Sequence, residues 1–228
     1  MKKIEVVQNI LEANDSIAAQ NRELLEANGV FALNIMSAPG AGKTSLILRT
    51  AAELKDRLRI GVIEGDVAST LDSERVQNEV TAVVQVTTRD ASESCALIAN
   101  MVAHALKRLP LEQMDLLLIE NVGNLICPSE FALGEHMRVV VSSLPEGDDK
   151  PTKYPIIFSD ASVVVINKLD FLPYVDFDIP SFQKAVLGLN PRAKFFQVSC
   201  KTGAGIKDWC AWLERELSSH KSHQKIMK

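Results

Sequence analysis

The sequence predicts an α/β fold, a mostly parallel sheet covered by helices on both faces. Short, almost wholly apolar runs of strand length recur along the chain, and segments with helical spacing separate them. Strands buried on both faces read as such runs, and parallel neighbours need a crossover, usually a helix. The length of 228 residues suits one domain or two small ones, and 46% hydrophobic with 24% charged residues suits a globular core.

The elements follow in order. Val7, Ile10, Leu11, Ile17, Leu24 and Leu25 recur at helical spacing, which predicts an amphipathic helix over 3–27 that Asn28-Gly29 stops. Asn14, Asp15 and Ser16 offer a break within it. A strand over Val30–Met36 leads into Ser37-Ala38-Pro39-Gly40-Ala41-Gly42-Lys43-Thr44 and a helix to about Arg57. Strands are expected at Arg59–Gly65, Thr81–Thr88, Leu116–Val122, Val139–Leu144, Ser162–Asn167 and Lys194–Val198. Helices are expected at about Ser92–Leu109, Ser181–Leu189 and Ile206–Leu217. The organisation read from this is an N-terminal helical extension over 1–29, one nucleotide-binding domain over 30–217 and a frayed polar tail over 218–228. The longest irregular stretches, 65–80 and 145–160, are candidates for function, because long loops are uncommon in compact α/β domains.

Composition narrows the partners. The net charge of −4 gives no global pull toward nucleic acid or an anionic membrane surface. No run of 18 apolar residues occurs and the N-terminus lacks a signal-peptide core, so a cytoplasmic location is the expectation. Four cysteines, Cys95, Cys127, Cys200 and Cys210, are too few for a disulfide framework, and thiols in a reducing compartment are expected free, metal-bound or buried rather than paired. Cys210 lies between Trp209 and Trp212 and reads as core. His104 and His136 read as packed or surface residues rather than ligands.

Residues 37–44 fit the phosphate-binding P-loop pattern, with Ser37 in place of its first glycine. Gly40 and Gly42, with Pro39 and Ala41, let backbone N–H groups curl around phosphate oxygens at a helix N-terminus. Lys43 supplies charge to the outer phosphates, Thr44 offers a hydroxyl to Mg²⁺, and Ser45 continues the first turn. Asn167-Lys168-Leu169-Asp170 follows an apolar strand and fits the guanine pattern N-K-x-D. Asp170 would accept from N1–H and the exocyclic amine of guanine, a donor pair that adenine lacks. Lys168 would lie along the base, and Asn167 would tie this loop to the phosphate loop. Ser199-Cys200-Lys201 after the last strand is similar to the S-A-K loop of GTP-binding proteins. Asp66 and Glu120 follow apolar strands and are candidates for Mg²⁺, with Gly123 placed to offer an N–H to the γ-phosphate. Both acids read alternatively as loop carboxylates. Asp66, Asp72, Glu74 and Arg75 lie in the segment expected to respond to the γ-phosphate, and one of these acids, which the sequence does not single out, would orient the attacking water.

These strings together resemble the hydrogenase nickel-incorporation GTPase family, the HypB type. The resemblance rests on Ser37–Thr44, Gly65-Asp66, Asp72 with Arg75, Ile119–Pro128, Glu146–Pro155 and Asn167–Asp170. It implies a GTPase that assists nickel insertion into [NiFe] hydrogenase precursors, with a partner nickel chaperone and a nucleotide-gated homodimer. It also implies a metal site, for Zn²⁺ or Ni²⁺, on Cys95 and Cys127, where the family's Cys-His pair is here Cys95-Ala96. The residues alone also allow Cys95 and Cys127 to be buried small hydrophobes. Lys150 and Lys153 show no obvious partner in their own subunit, and prolines 151 and 155 deny their loop a helix. The resemblance suggests that Lys153 reaches a second subunit's nucleotide. Alternatives are a GTP-dependent scaffold or paralogue whose metal site Ala96 impairs, and a GTPase serving another metalloenzyme.

Overall fold

A computed structural model of the chain describes residues 3–65, 79–86 and 95–226. Seven strands form one sheet: β1 Phe31–Ser37, β2 Ile60–Glu64, β3 Ala82–Gln85, β4 Leu116–Glu120, β5 Met137–Ser143, β6 Val163–Asn167 and β7 Lys194–Gln197. Their order is β3-β2-β4-β1-β5-β6-β7, and every pairing is parallel. The helices are α1 Lys3–Ala27, α2 Lys43–Leu54, α3 Ala99–Leu106, α4 Cys127–Glu130, α5 Lys150–Lys153, α6 Pro155–Ser159, α7 Ile179–Leu189 and α8 Ile206–Ile226. Among the described residues no helix is long and apolar enough to cross a membrane.

Alternate residues of each strand enter different cores, as the two-residue period of a strand demands. Leu33, Ile35, Val139, Val141, Val163 and Val165 pack against Leu46 and Ile47 of α2 and Trp209 and Leu213 of α8. On the other face, Ala32, Leu117 and Ile119 meet Leu25 of α1 and Val102 of α3. Val140 and Val164 there meet Phe158 of α6 and Phe182 of α7. Because β1 has β4 on one side and β5 on the other, the chain switches direction across the sheet at β1. The crevice at the carboxyl ends of these strands is where open α/β sheets bind ligands.

Several expectations are corrected. The α1 helix runs unbroken through 14–16, because the Asn14 amide is used in tertiary hydrogen bonds rather than on its own backbone. The helix expected from Ser92 begins at Ala99 among the described residues. Prolines 151 and 155 do not exclude helix; each sits in a first turn, where the missing N–H costs nothing. The expected frayed tail is helix as far as Ile226. Lys221 holds it by donating to Asp115 Oδ1 at 2.6 Å, and the His220 ring lies 5.1 Å from Phe31 and 4.5 Å from His136.

Asp115 is the hub of that anchorage. Arg59 donates Nε to Oδ2 at 2.9 Å and Nη2 to Oδ1 at 3.1 Å, so guanidinium and ammonium share one carboxylate. Arg59, and then Lys221, hold the Asp115 carboxyl well below the usual carboxylate range. A carboxyl lowered by folding stabilises the fold above its unfolded pKa of about 4, and that contribution fades as pH falls below it. Asp115→Asn should therefore lower the melting temperature at pH 7, and the gap to wild type should narrow at pH 3. Melts of both proteins at the two pH values check this; an equal gap at both would contradict it.

Candidate functional site

β1 delivers Ser37 to the carboxyl edge of the sheet, and the chain turns through Gly40 (φ 75°) and Gly42 (φ 103°) into α2. Only glycine takes these conformations cheaply. Gly42 is required twice over, since a Cβ there would lie 2.4 Å from Asn167 Nδ2. Lys43 is buried, and its ammonium donates to Ser37 Oγ at 3.3 Å across the loop. Thr44 Oγ1 donates to Glu120 Oε1 at 2.7 Å. This hydroxyl and carboxylate are hard oxygen donors at the mouth of a phosphate loop, a set that suits Mg²⁺. Gly123 lies against Pro39, where a Cβ would stand 3.1 Å from Pro39 Cα, so the strand-end segment closes onto the loop.

Of the expected acids, Glu120 stands at the end of β4 beside Thr44. Asp66 and Asp72, with Glu74 and Arg75, lie outside the described residues. Glu64, which sequence reasoning took as strand interior, is buried at the end of β2 and lies in register beside Glu120. A carboxylate inside an otherwise apolar buried strand was the signal that could have found it. Gly65 lets these strand ends close up, because a Cβ there would stand 2.9 Å from Glu120 O and 2.6 Å from Leu97.

The expected base loop does meet the phosphate loop. Asn167, fully buried in effect at 1% exposure, donates Nδ2 to Ala41 O at 2.9 Å and accepts Cys200 N–H at Oδ1, 3.3 Å away. Lys168 occupies the left-handed region (φ 61°), the only non-glycine to do so among the described residues, and its ammonium reaches Gly40 O at 2.7 Å. Ser199 Oγ donates to Asp170 Oδ1 at 2.5 Å, which fixes one carboxylate oxygen. Lys201 is exposed beyond it. Sequence reasoning missed Arg49, which donates Nε to Cys200 O at 2.7 Å and Nη2 to Lys201 O at 3.1 Å. It clamps the base loop from α2, one turn after Ser45. Burial pushes the Cys200 thiol up to about 11 and the Cys210 thiol up to about 12, so both are inert as nucleophiles.

Cys95 and Cys127 are brought together, with their Cα atoms 5.9 Å apart, and here they form a disulfide. This corrects the expectation of unpaired thiols: the start of α4 lies beside the segment leading into α3, within bonding reach. Asn124 Nδ2 donates to Cys127 Sγ at 3.5 Å. Ala96 is buried and carries no ligand atom. Among the described residues no group of three or more His, Cys, Asp or Glu side chains could hold a metal. Reduced, the pair fits a soft metal ion as two thiolates, and a full set would need further donors from outside these residues. Lys153 does have a partner in its own subunit, Asp149, which raises the lysine's pKa. The expectation of an unpaired lysine is corrected: α5 brings Lys153 round to the carboxylate four residues earlier, and Lys150 lies over the Tyr154 ring at 5.9 Å. His136 accepts Ala32 N–H at Nδ1 (3.0 Å) and burial drives its pKa to about 3, so of the packed and surface readings it takes the packed one, as a neutral imidazole.

Comparison with known proteins identifies the fold and the family. Residues 31–197 match the nucleotide-binding domain described as CobW/HypB/UreG. The hydrogenase maturation factor HypB of Rhizobium leguminosarum bv. viciae is 45% identical over 98% of this chain and 74% of its own length. The solved hydrogenase maturation factor HypB of Archaeoglobus fulgidus superposes with a TM-score of 0.84 at 42% identity, covering 90% of this chain and 99% of that one. HypB of Helicobacter pylori, solved in complex with nickel, gives a TM-score of 0.85 at 37% identity, over 92% and 97% of the two chains. A family domain that matches most of the chain, and relatives 45% and 42% identical along nearly its whole length, show that the chain belongs to the HypB family of hydrogenase maturation factors.

Proposed function

We propose that the chain is a GTPase metallochaperone that assists nickel insertion into [NiFe] hydrogenase precursors through a nucleotide-gated dimer. The observation that carries the GTP reading is the Asn167 bridge. It sets Asp170, with one oxygen already held by Ser199, at a fixed position relative to the phosphate loop. Asp170 accepts from the N1–H and exocyclic amine of guanine. Lys43 and the loop N–H groups take the negative charge that hydrolysis develops on the phosphates. Thr44, Glu120 and Asp66 hold Mg²⁺, which when bound neutralises phosphate charge. Asp72 or Asp66 orients the attacking water.

In this reading nickel is cargo, with Zn²⁺ as a competing ion, and the reduced Cys95/Cys127 pairs of two subunits supply four thiolates. The nickel bound by the Helicobacter pylori relative supports a metal role for this family fold. The partners are a nickel chaperone and the hydrogenase large-subunit precursor, in the cytoplasm. A second reading, a GTP-dependent scaffold with an impaired metal site, is favoured by buried Ala96 where the family's histidine would stand.

Asp170→Asn should weaken GTP binding and improve xanthosine triphosphate binding, because the amide can donate where the carboxylate only accepts. Wild type should prefer GTP to ATP by more than about 100-fold, as sites built to pair polar groups reject analogues that lack them. Competition binding checks both, and equal affinity for GTP and ATP would sink the guanine reading.

For assembly, Lys153 exchanges its exposed partner Asp149 for the γ-phosphate side of a second subunit. An exposed ion pair is screened by solvent and contributes little, so the exchange costs little. Sedimentation should show a dimer with a slowly hydrolysed GTP analogue and a monomer with GDP, and Lys153→Ala should shift the former toward monomer. One mass in all nucleotide states would rule out gated assembly.

A further inference from the structure

The two cysteine-bearing segments are distant in sequence, and α1 touches both with the same chemistry. Cys95 lies four residues before Ala99, the first residue of α3, and Cys127 opens α4, whose chain continues to Ala132, Leu133 and Gly134. Asn14 accepts Ala99 N–H at 2.9 Å and donates to Ala132 O at 2.9 Å. Asn21 donates to Ala99 O and to Leu133 O, both at 2.9 Å. The asparagines are two turns apart, on one face of α1, and are 7% and 3% exposed. Each amide therefore spans from the Cys95 chain to the Cys127 chain.

The local chemistry requires such a brace. Ala99 N–H opens a helix whose N-cap, Ile98, offers no side-chain bond, so Asn14 satisfies this donor from across the interface. Gly134 takes φ 99°, and a Cβ there would lie 2.6 Å from Asn21 Cβ and 2.8 Å from Ala18 O, so this glycine lets the 132–134 segment lie directly on α1. Apolar residues at 14 and 21 would pack the helix equally well, but they would not fix where Ala99 stands relative to Ala132 and Leu133. A buried amide deprived of one partner is costly, which makes the spacing stiff.

We propose that Asn14 and Asn21 are positioning residues for the Cys95/Cys127 pair, setting the separation of the two sulfurs from α1. The physiological role rests on the reading of this pair as a cargo site, but the test does not require a metal. The reduced full chain is equilibrated with glutathione disulfide. A bond forms between the sulfurs of Cys95 and Cys127, glutathione disulfide takes up the two electrons and two protons, and two glutathione thiols are released. The equilibrium constant reports how closely the fold holds the two thiols. Asn14→Ala and Asn21→Ala each remove two buried hydrogen bonds and should each lower it by about tenfold, and weaken Co²⁺ binding read by the thiolate charge-transfer band. GDP affinity should stay within about twofold, since neither residue touches the nucleotide crevice, and a destabilised control, Val186→Ala in α7, should leave the glutathione equilibrium unchanged. Should the alanine variants fail to fold, Asn14→Asp keeps the acceptor for Ala99 and sets a carboxylate oxygen against Ala132 O in place of the donated bond, with the same direction expected. Folded Asn21→Ala and Asn14→Asp proteins with the wild-type glutathione equilibrium would overturn the proposal, as would an equal fall in Val186→Ala. A wild type without a Co²⁺ band but with an asparagine-sensitive equilibrium would sink the cargo reading and uphold the positioning.

Discussion

The Asn167 amide is the contact on which the nucleotide crevice depends. Its two ends face two loops that no strand pairing connects: Ala41 in the phosphate loop and Cys200 in the base loop. Side-chain amides make such bridges well because donor and acceptor are held rigidly in one plane. Neighbouring features conform to it. Gly42 has no room for a side chain because Asn167 stands there, Lys168 accepts a left-handed backbone that lets its ammonium reach Gly40, and Arg49 closes the base loop from behind. Ligand-binding loops joined in this way are preorganised, so less ordering is left to be done when a nucleotide arrives.

A second polar chain runs from the strand ends toward the cysteines. Asn121 follows Glu120 directly, accepts Leu97 N–H and Val122 N–H, and donates to Asn34, which in turn donates to Glu135. Leu97 is two residues from Cys95. With Asn14 and Asn21 bonded to Ala99, the segment from Cys95 to the start of α3 is held from the residue after β4 and from α1 at once. Buried amide networks of this kind add little net stability, but they fix register, because a displaced member leaves an unsatisfied group.

What the sequence revealed depended on whether the signal was local. The seven strands were legible because a parallel sheet covered on both faces demands uninterrupted apolar runs, and the P-loop and N-K-x-D strings were legible because each lies within a few residues. Arg49 and Glu64 were not, since an arginine on a helix and a glutamate in a strand acquire meaning only from partners 151 positions away or on the next strand. The α1 asparagines looked like a helix break because Asn competes for its own backbone unless tertiary partners claim the amide. The helical tail beyond 217 was hidden for a like reason: its anchor, Asp115, is 106 residues from Lys221. Lys153 looked unpaired because Asp149 becomes its neighbour only when the proline-led turn forms.

The claim that one amide joins the two halves of the crevice is tested most directly by calorimetric titration of GDP into Asn167→Ala. Removing both hydrogen bonds should cost about 2 kcal/mol, so GDP should bind about 30-fold more weakly, or worse, while the protein melts as a folded domain. A folded Asn167→Ala chain that binds GDP as tightly as wild type would contradict the account.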